Sequence, residues 1–299
     1  IPKKGYCVLC EAPRVKYALI NEFKQRYTIV MMCRSLRVSR SGFYRWLSKP
    51  ESRWQLKRRL MKTNVLDVYE SFKARYGAPR IAKELTALGI SCSKNHVANI
   101  MHSEGLRARN GKAFKYSRHS PAMVNVAKNI LKREFAVDKP NQKWVTDITY
   151  IWVKDKWLYL ATVMDLYSRC IIGWSLDLTM TEQLISDALH MAFKRRDVAP
   201  GLIIHSDRGV QYRAIKYQDL IRSKGGVVSM SRRGNCWDNA VMESFYSRLK
   251  VELIYAEQYR SIDEARSGIF EYIEVFYNRL RRHSALGYVS PAEYERIGA

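Results

Sequence analysis

The stretch Trp144-Val-Thr-Asp-Ile-Thr-Tyr-Ile151 decides how the second half of the chain reads. It is filled with β-branched and aromatic residues of the kind a pleated strand favours. The residue that opposes that state, Asp147, sits in its middle. A carboxylate that weakens its own strand points to a chemical role. Outward from it, further strands are expected at Trp157–Asp165 and Cys170–Leu176, behind connectors short enough for hairpins. A helix over Thr181–Lys194, a strand over Leu202–Ser206, a helix over Ala214–Ser223 and a strand over Val227–Met230 follow. A last helix opens near Asp238.

The order βββαβαβα is that of a ribonuclease H-like domain, a mixed five-stranded sheet with helices whose fourth strand lies beside its first. Asp207 closes the fourth strand at its C-terminal end, where open α/β sheets place their sites, so it is expected to converge with Asp147. On the last helix Met242, Phe245, Leu249 and Leu253 form a buried stripe, and Glu243, Ser247 and Lys250 share an adjacent face. Carboxylates gathered from separate elements repel one another and persist where cations hold them. Asp147, Asp207 and Glu243 are therefore expected to act as both catalytic residues and metal ligands for two-metal phosphoryl transfer, with no protein nucleophile. Lys250 lies two helical turns, roughly 10 Å, beyond Glu243, within reach of a nearby phosphate. Asp165 is the rival to Asp147, but hairpin register displaces it by three residues, about 10 Å along the strand, which suits a turn role beside Arg169. His205 reads either as an orienting group for Asp207 or as a core histidine, and Asp238 and Asn239 read as helix caps.

The 299 residues carry a formal net charge of +24, and the first half holds most of it. Residues 1–140 contain 30 Lys and Arg against 9 Asp and Glu, and residues 141–299 contain 22 against 19. A region this basic favours double-stranded DNA or another polyanion and predicts steeply salt-dependent binding. Neither an apolar run long enough to span a membrane nor a cleavable signal is present, which points to a soluble cytoplasmic protein, and no strongly basic amphipathic helix with a broad apolar face stands out for a membrane surface. Apolar periodicity from Arg14 to Leu47 with an Arg37-Val-Ser-Arg-Ser-Gly turn reads as helix, turn, helix, with Arg40 and Arg45 placed for DNA. Residues 50–62 read as a charged linker into another helix. A second helix-turn-helix follows: Gly89 ends one helix, Ser91 or Ser93 caps the next, and Lys94, Asn95 and Asn99 project from its first turns. Beyond it an aperiodic basic tether carrying Arg107, Arg109, Lys112 and Lys115 is expected to lie along DNA backbone, and a short helix is expected near Ala127–Phe135. Arg232, Arg233 and Arg248 are further DNA-contact candidates around the acidic residues. The chain thus divides into an N-terminal helix-turn-helix segment (1–55), a second such domain (56–107), a basic linker (108–140), the catalytic domain (141–260), and a C-terminal helix and tail (261–299). Cys7 and Cys10 would bind zinc only with two more ligands drawn from Cys33, Cys92, His96 or His102.

Four segments together carry a resemblance: Trp144-Val-Thr-Asp-Ile-Thr-Tyr, Tyr159-Leu-Ala-Thr-Val-Met-Asp-Leu-Tyr-Ser-Arg, His205-Ser-Asp-Arg-Gly-Val-Gln-Tyr and Ser231-Arg-Arg-Gly-Asn-Cys-Trp-Asp-Asn-Ala-Val-Met-Glu-Ser-Phe. On these the chain resembles the second-frame (OrfB) protein of the IS-three family of bacterial insertion-sequence transposases, relatives of retroviral integrases. Thirty-five residues separate Asp207 from Glu243, which is the family's D-D-35-E spacing, and Lys250 matches its basic residue seven beyond the Glu. The tail from Tyr277 to Tyr288 matches as well. The resemblance implies cleavage at element ends, strand transfer by the freed 3′-hydroxyl through a circular intermediate, and insertion into target DNA. It implies two Mg²⁺ ions, with Mn²⁺ as a substitute, at Asp147, Asp207 and Glu243. It further implies a homo-oligomer on DNA and an upstream first-frame (OrfA-type) segment with a leucine zipper. The absence of a heptad run and the Met-less start fit a protein read from within a longer product. Two other readings compete with the enzyme: a DNA-binding regulator of transposition that is inactive without its upstream segment, and a hydrolase of RNA–DNA hybrids.

Overall fold

A computed structural model describes residues 11–48, 53–109, 125–232 and 236–298. Cys7, Cys10, Lys112, Lys115 and Arg233 lie outside the described residues. The chain forms two compact units, residues 1–64 and 65–299.

In the first unit α1 (Pro13–Phe23), α2 (Ile29–Ser35) and α3 (Arg40–Leu47) close round Ile20, Cys33 and Phe43, with Tyr17, Met32 and Trp46 packed at the edge. Ser39 caps α3 by accepting from the Gly42 N–H at 2.9 Å, which leaves Arg40 and Arg45 exposed on the helix. The segment expected to be a linker is helical instead. Helix α4 runs without interruption from Arg53 to Ser71, because Arg, Lys, Gln and Leu are good helix formers and no Gly or Pro breaks the run.

In the second unit α5 (Ala78–Ala87) and α6 (Lys94–Ser103) bury Ile81, Leu85, Val97 and Ile100 against each other. Gly89 takes the left-handed conformation, φ +79°, that the sharp exit from α5 requires, and Ser93 caps α6 by accepting from His96 N. Lys94, Asn95 and Asn99 are exposed.

The sheet comprises β1 (Lys143–Val153), β2 (Lys156–Asp165), β3 (Ile171–Asp177), β4 (Ile203–Ser206) and β5 (Val227–Met230), in the order β3-β2-β1-β4-β5. The first three strands form an antiparallel meander, and β4 and β5 join β1 in parallel. Helices α7 (Glu182–Arg195) and α8 (Ile215–Ser223) supply Leu184, Ile185, Leu189 and Ile221 to a core shared with Trp144, Val163 and Ile204. Gly173 lets α7 approach β3 closely, since a Cβ there would strike Ala188 O. No helix forms near Ala127–Phe135. That segment runs beside β5 instead: Met230 N donates to Lys128 O, and the Ile130 and Leu131 N–H groups donate to Ser229 Oγ. Burial of Leu131 and an Asn129-to-Lys132 side-chain turn outweigh local helical periodicity.

Helix α9 (Ala240–Glu252) is followed by α10 (Ile262–Phe270), a π-helical stretch over Glu271–Leu280, and α11 (Pro291–Gly298). The tail, aperiodic in sequence, is held by long-range bonds. Asn278 brackets Ile171 of β3, donating to its carbonyl and accepting from its N–H at 2.9 Å each. Arg281 pairs with Glu252 at 2.7 Å, both side chains only 3% exposed, and Tyr272 OH donates to the same carboxylate. Burial alone pushes the Glu252 carboxyl up, but Arg281 and Tyr272 together outweigh it and hold the group below its ordinary value. Removing one partner of such a pair strands the other in the core. Glu252→Ala is therefore expected to lose about 3–5 kcal/mol of stability by urea unfolding, and a Glu252→Met/Arg281→Met double variant less. A larger loss in the double variant would contradict this.

Candidate active site

Parallel pairing of β1 with β4 sets Val145 beside His205, so the chain direction carries Asp147 and Asp207 to the same end of the sheet. In the hairpin Asp147 faces Thr162 and Trp144 faces Asp165, which places Asp165 three positions away. Helix α9 brings the third acid. Tyr246, three residues past Glu243, donates its hydroxyl to the carbonyl of Asp147 at 2.6 Å and lies 2.8 Å from Thr162 Oγ1. One buried phenol thus fixes the helix of Glu243 to the strand position of Asp147.

The charges show the convergence. Burial raises the Asp147 carboxyl well above its ordinary range, the negative charges of Asp207 and Glu243 raise it further, and the Ile148 N–H and Lys250 oppose the rise. Asp207 keeps surface open to solvent, yet packing around its carboxyl raises it too, against a 2.8 Å hydrogen bond from Gly209 N. Glu243 is raised by burial. Lys250 is half-buried, with Nζ 4.8 Å from the centre of the Tyr150 ring; burial lowers its pKa and Asp147 pulls it back.

The donor set suits a hard divalent cation, because it is all carboxylate oxygen. Asp147 and Asp207 each commit one oxygen, Oδ1, to a neighbouring N–H group. Among the described residues no three His, Cys, Asp or Glu side chains are gathered tightly enough to enclose an ion, so the acids stand as neighbours rather than a closed cage.

Several expectations change. Asp238 is not a helix cap. It is fully buried, and its carboxylate accepts from Arg232 Nε and Nη2, Arg133 Nε, Asn129 Nδ2 and the Arg232 N–H, all between 2.8 and 3.1 Å. Arg232 is the main cause holding this group far below the carboxylate range. Asn239 occupies the N-cap position of α9, but its side chain makes no cap bond and its Nδ2 points to Thr146 O at 3.5 Å. A capping preference is local, and two arginines delivered from elsewhere in the chain overrode it. His205 is the core histidine of the two alternatives: it is fully buried, Nδ1 meets Ser229 Oγ at 2.8 Å, and burial pushes it down to about 4. Asp165 has the turn role, accepting from Asn141 N and Tyr167 N, and Arg169 reaches it through the backbone. Arg109 is engaged inside the chain, donating to Glu252 O at 2.8 Å and lying 3.6 Å from Glu257. Arg107 is exposed. Arg248 is also exposed, on a different face of α9 from Glu243. Tyr246 and Tyr212, whose hydroxyl lies 3.3 Å from Thr146 Oγ1, were missed by sequence reading. The only available signal for Tyr246 was its helical spacing from Glu243.

Two family profiles described as Integrase core domain match residues 137–236 and 225–291, and one described as HTH-like domain matches residues 55–114. The transposase InsF for insertion sequence IS3A of Escherichia coli (strain K12) is 42% identical over 283 residues, covering 94% of this chain and 98% of that protein. A 31 kDa protein of insertion element IS600 from Shigella sonnei is 41% identical over 264 residues, covering 88% and 97%. The HTLV-2 integrase catalytic core domain in complex with magnesium is 17% identical, with a TM-score of 0.40 over 52% of this chain and 97% of that one.

A carboxyl raised in the folded state stabilises the fold fully only below its unfolded value, about 3.9 for Asp. That stability is lost as pH rises through the folded value. In metal-free buffer at pH 7, Asp147→Asn is therefore expected to raise the thermal midpoint by about 2–4 °C, the worth of about 1 kcal/mol of relieved repulsion. The advantage should vanish near pH 4, and equal midpoints at pH 7 would contradict the charge crowding.

Proposed function

Since this chain belongs to the transposase family of the IS3 insertion sequences, a family of DNA transposases with an integrase core, we propose that it cuts DNA at element ends and that the freed 3′-hydroxyl then attacks a phosphodiester of the receiving strand, displacing that strand's own 3′-oxygen. In this reading strand transfer passes through a circular intermediate, and the circle is then inserted into target DNA. The observation that carries it is the meeting of Asp147, Asp207 and Glu243 at one end of the sheet, with the proton affinity of all three raised. Sites that crowd carboxylates in this way are relieved by cations.

Asp147, Asp207 and Glu243 are the residues that would hold the metal. Two Mg²⁺ ions, or Mn²⁺ in their place, would activate a water or 3′-hydroxyl and stabilise the leaving oxygen. The chain's own groups do the rest. Tyr246 and Thr162 lock α9 against β1 so that Glu243 keeps its place beside Asp147. Lys250, held over Tyr150, supplies a positive charge for a phosphate two turns from Glu243.

For DNA recognition we assign the exposed faces of α6, with Lys94, Asn95 and Asn99, and of α3, with Arg40 and Arg45, together with Arg107. Arg109 and Arg232 are left out because acidic or carbonyl partners already occupy them. Two copies, each joined to an upstream first-frame segment, would pair the element ends on the nucleoid. Among the described residues no helix is long and apolar enough to cross a membrane.

The test is metal-dependent cleavage and joining of labelled end DNA by purified protein. Asp207→Asn and Glu243→Gln are expected to lower both steps by on the order of 10³-fold or more, with DNA affinity within about twofold of wild type. Retained activity in either variant would remove that residue from the site. Tyr246→Phe is expected to lower kcat about tenfold, one charge-aligned hydrogen bond, with KM for DNA unchanged. A rise in KM at unchanged kcat would overturn its positioning role.

A further inference from the structure

A cavity of about 360 Å³ opens on the flank of α9 away from Glu243. Among the described residues fourteen line it and none of these is acidic, yet four are arginines: Arg80, Arg169, Arg248 and Arg281. Arg281 is neutralised by Glu252. Arg80 donates to a carbonyl, Arg282 O, at 2.9 Å and lies over the Tyr76 ring, and among the described residues neither Arg169 nor Arg248 has a carboxylate partner. The charges press on one another. Burial lowers the pKa of Arg80, and Arg281 and Arg248 lower it further, against an opposing pull from Glu252 and Tyr76. His283, on the same wall, is pushed down to about 3 by burial and then by Arg281, Arg80 and Arg169, so it stays neutral and accepts from Arg281 Nη1 at 3.3 Å. Half-buried guanidinium groups such as Arg80 and Arg169, with Arg248 beside them and the nearby Glu252 already committed to Arg281, are costly unless an anion joins them.

We propose that this cavity is a second phosphate site, holding an internal phosphodiester of the same DNA strand whose reacting phosphate lies at the acids. The proposal rests on the transposase reading above. Guanidinium forks bind phosphate oxygens in pairs, and the lining hydroxyls of Ser244 and Ser284 add neutral donors. The first turn of α9, Ala240 and Val241, has no side-chain cap and opens on the same space. Val241, Ser244 and Arg248 recur at helical spacing, roughly a third to a half turn round the helix from Glu243 and Lys250. An α-helix is about 10 Å across. A strand seated at Glu243 therefore passes over the cavity within a few nucleotides, and α9 contacts it on both flanks. The site would fix where along the strand the scissile phosphate stops, without reading sequence.

The test uses the full chain and duplex end DNA, with affinity measured by fluorescence anisotropy across a salt series. Arg169→Gln and Arg248→Gln are each expected to weaken binding by on the order of tenfold, equally for end and unrelated sequences, and to flatten the log–log salt slope by about one. Ser244→Glu, an exposed change that leaves the arginines in place, is expected to weaken binding at least as much. Methylphosphonates walked along the strand should reveal one internal position whose neutralisation weakens wild type but not the Arg169→Gln/Arg248→Gln double variant. Removing the 5′-terminal phosphate should change nothing. The proposal fails if folded variants keep wild-type affinity and slope. It fails equally if the double variant shares wild-type sensitivity at every position, if only the terminal phosphate matters, or if the variants lose self-association while binding DNA normally, which would give the cavity to an acidic segment of another copy. Absence of metal-dependent cleavage by wild type would count against the transposase reading alone, since the binding readouts need no chemistry.

Discussion

Three carboxylates that repel one another have to be held at one end of a sheet, and much of the second unit serves that constraint. Asp147 and Asp207 arrive on adjacent parallel strands, so backbone hydrogen bonds resist their separation. Glu243 comes on a helix, which has no such ladder to the sheet. Its attachment depends on Tyr246, whose hydroxyl is shared among Asp147 O, Thr162 Oγ1 and Leu160 O. A phenol is well suited to this position because its ring buries in the stripe of α9 while its polar end meets otherwise costly buried oxygens.

The two ends of α9 are secured by different chemistry. Ahead of it, Asp238 gathers Arg232, Arg133 and Asn129, which ties the approach to the helix to the segment running beside β5. At its far end Glu252 is locked by Arg281 and Tyr272, and Arg75 Nε donates to the Glu252 carbonyl at 3.2 Å. The C-terminal tail therefore helps to position α9. Asn278, three residues before Arg281, pins the π-helical stretch to β3.

The same arrangement places opposite charges on two flanks of one helix. The flank with Glu243 crowds negative charge, and the flank with Arg248 crowds positive charge. Each is unfavourable in the isolated protein, and in the proposed complex each would be relieved by a different component, cations on one side and phosphates on the other. Such local conflict is where functional sites are expected to depart from the rules that stabilise the rest of a fold.

Much was legible in the sequence because the signals were local. The β-branched runs located all five strands, the short hairpin connector set the register that pairs Asp147 with Thr162, and Ser39, Ser93 and Gly89 marked helix ends by their own backbone chemistry. The three acids were singled out by their local contexts, and the 35-residue spacing was matched through the resemblance. Tertiary structure decided what depends on partners distant in the chain. Asp238 has the composition of a cap and became an arginine anchor; residues 127–135 have the composition of a short helix and run beside β5 through a tight turn. The tail, without period, folds through Asn278, Arg281 and Glu252. The arginine-lined cavity draws Arg80, Arg169, Arg248 and Arg281 from four separate parts of the chain. Sequence determines the chemistry each side chain brings, but the electrostatic environment that gives it a role is set by neighbours that only folding supplies.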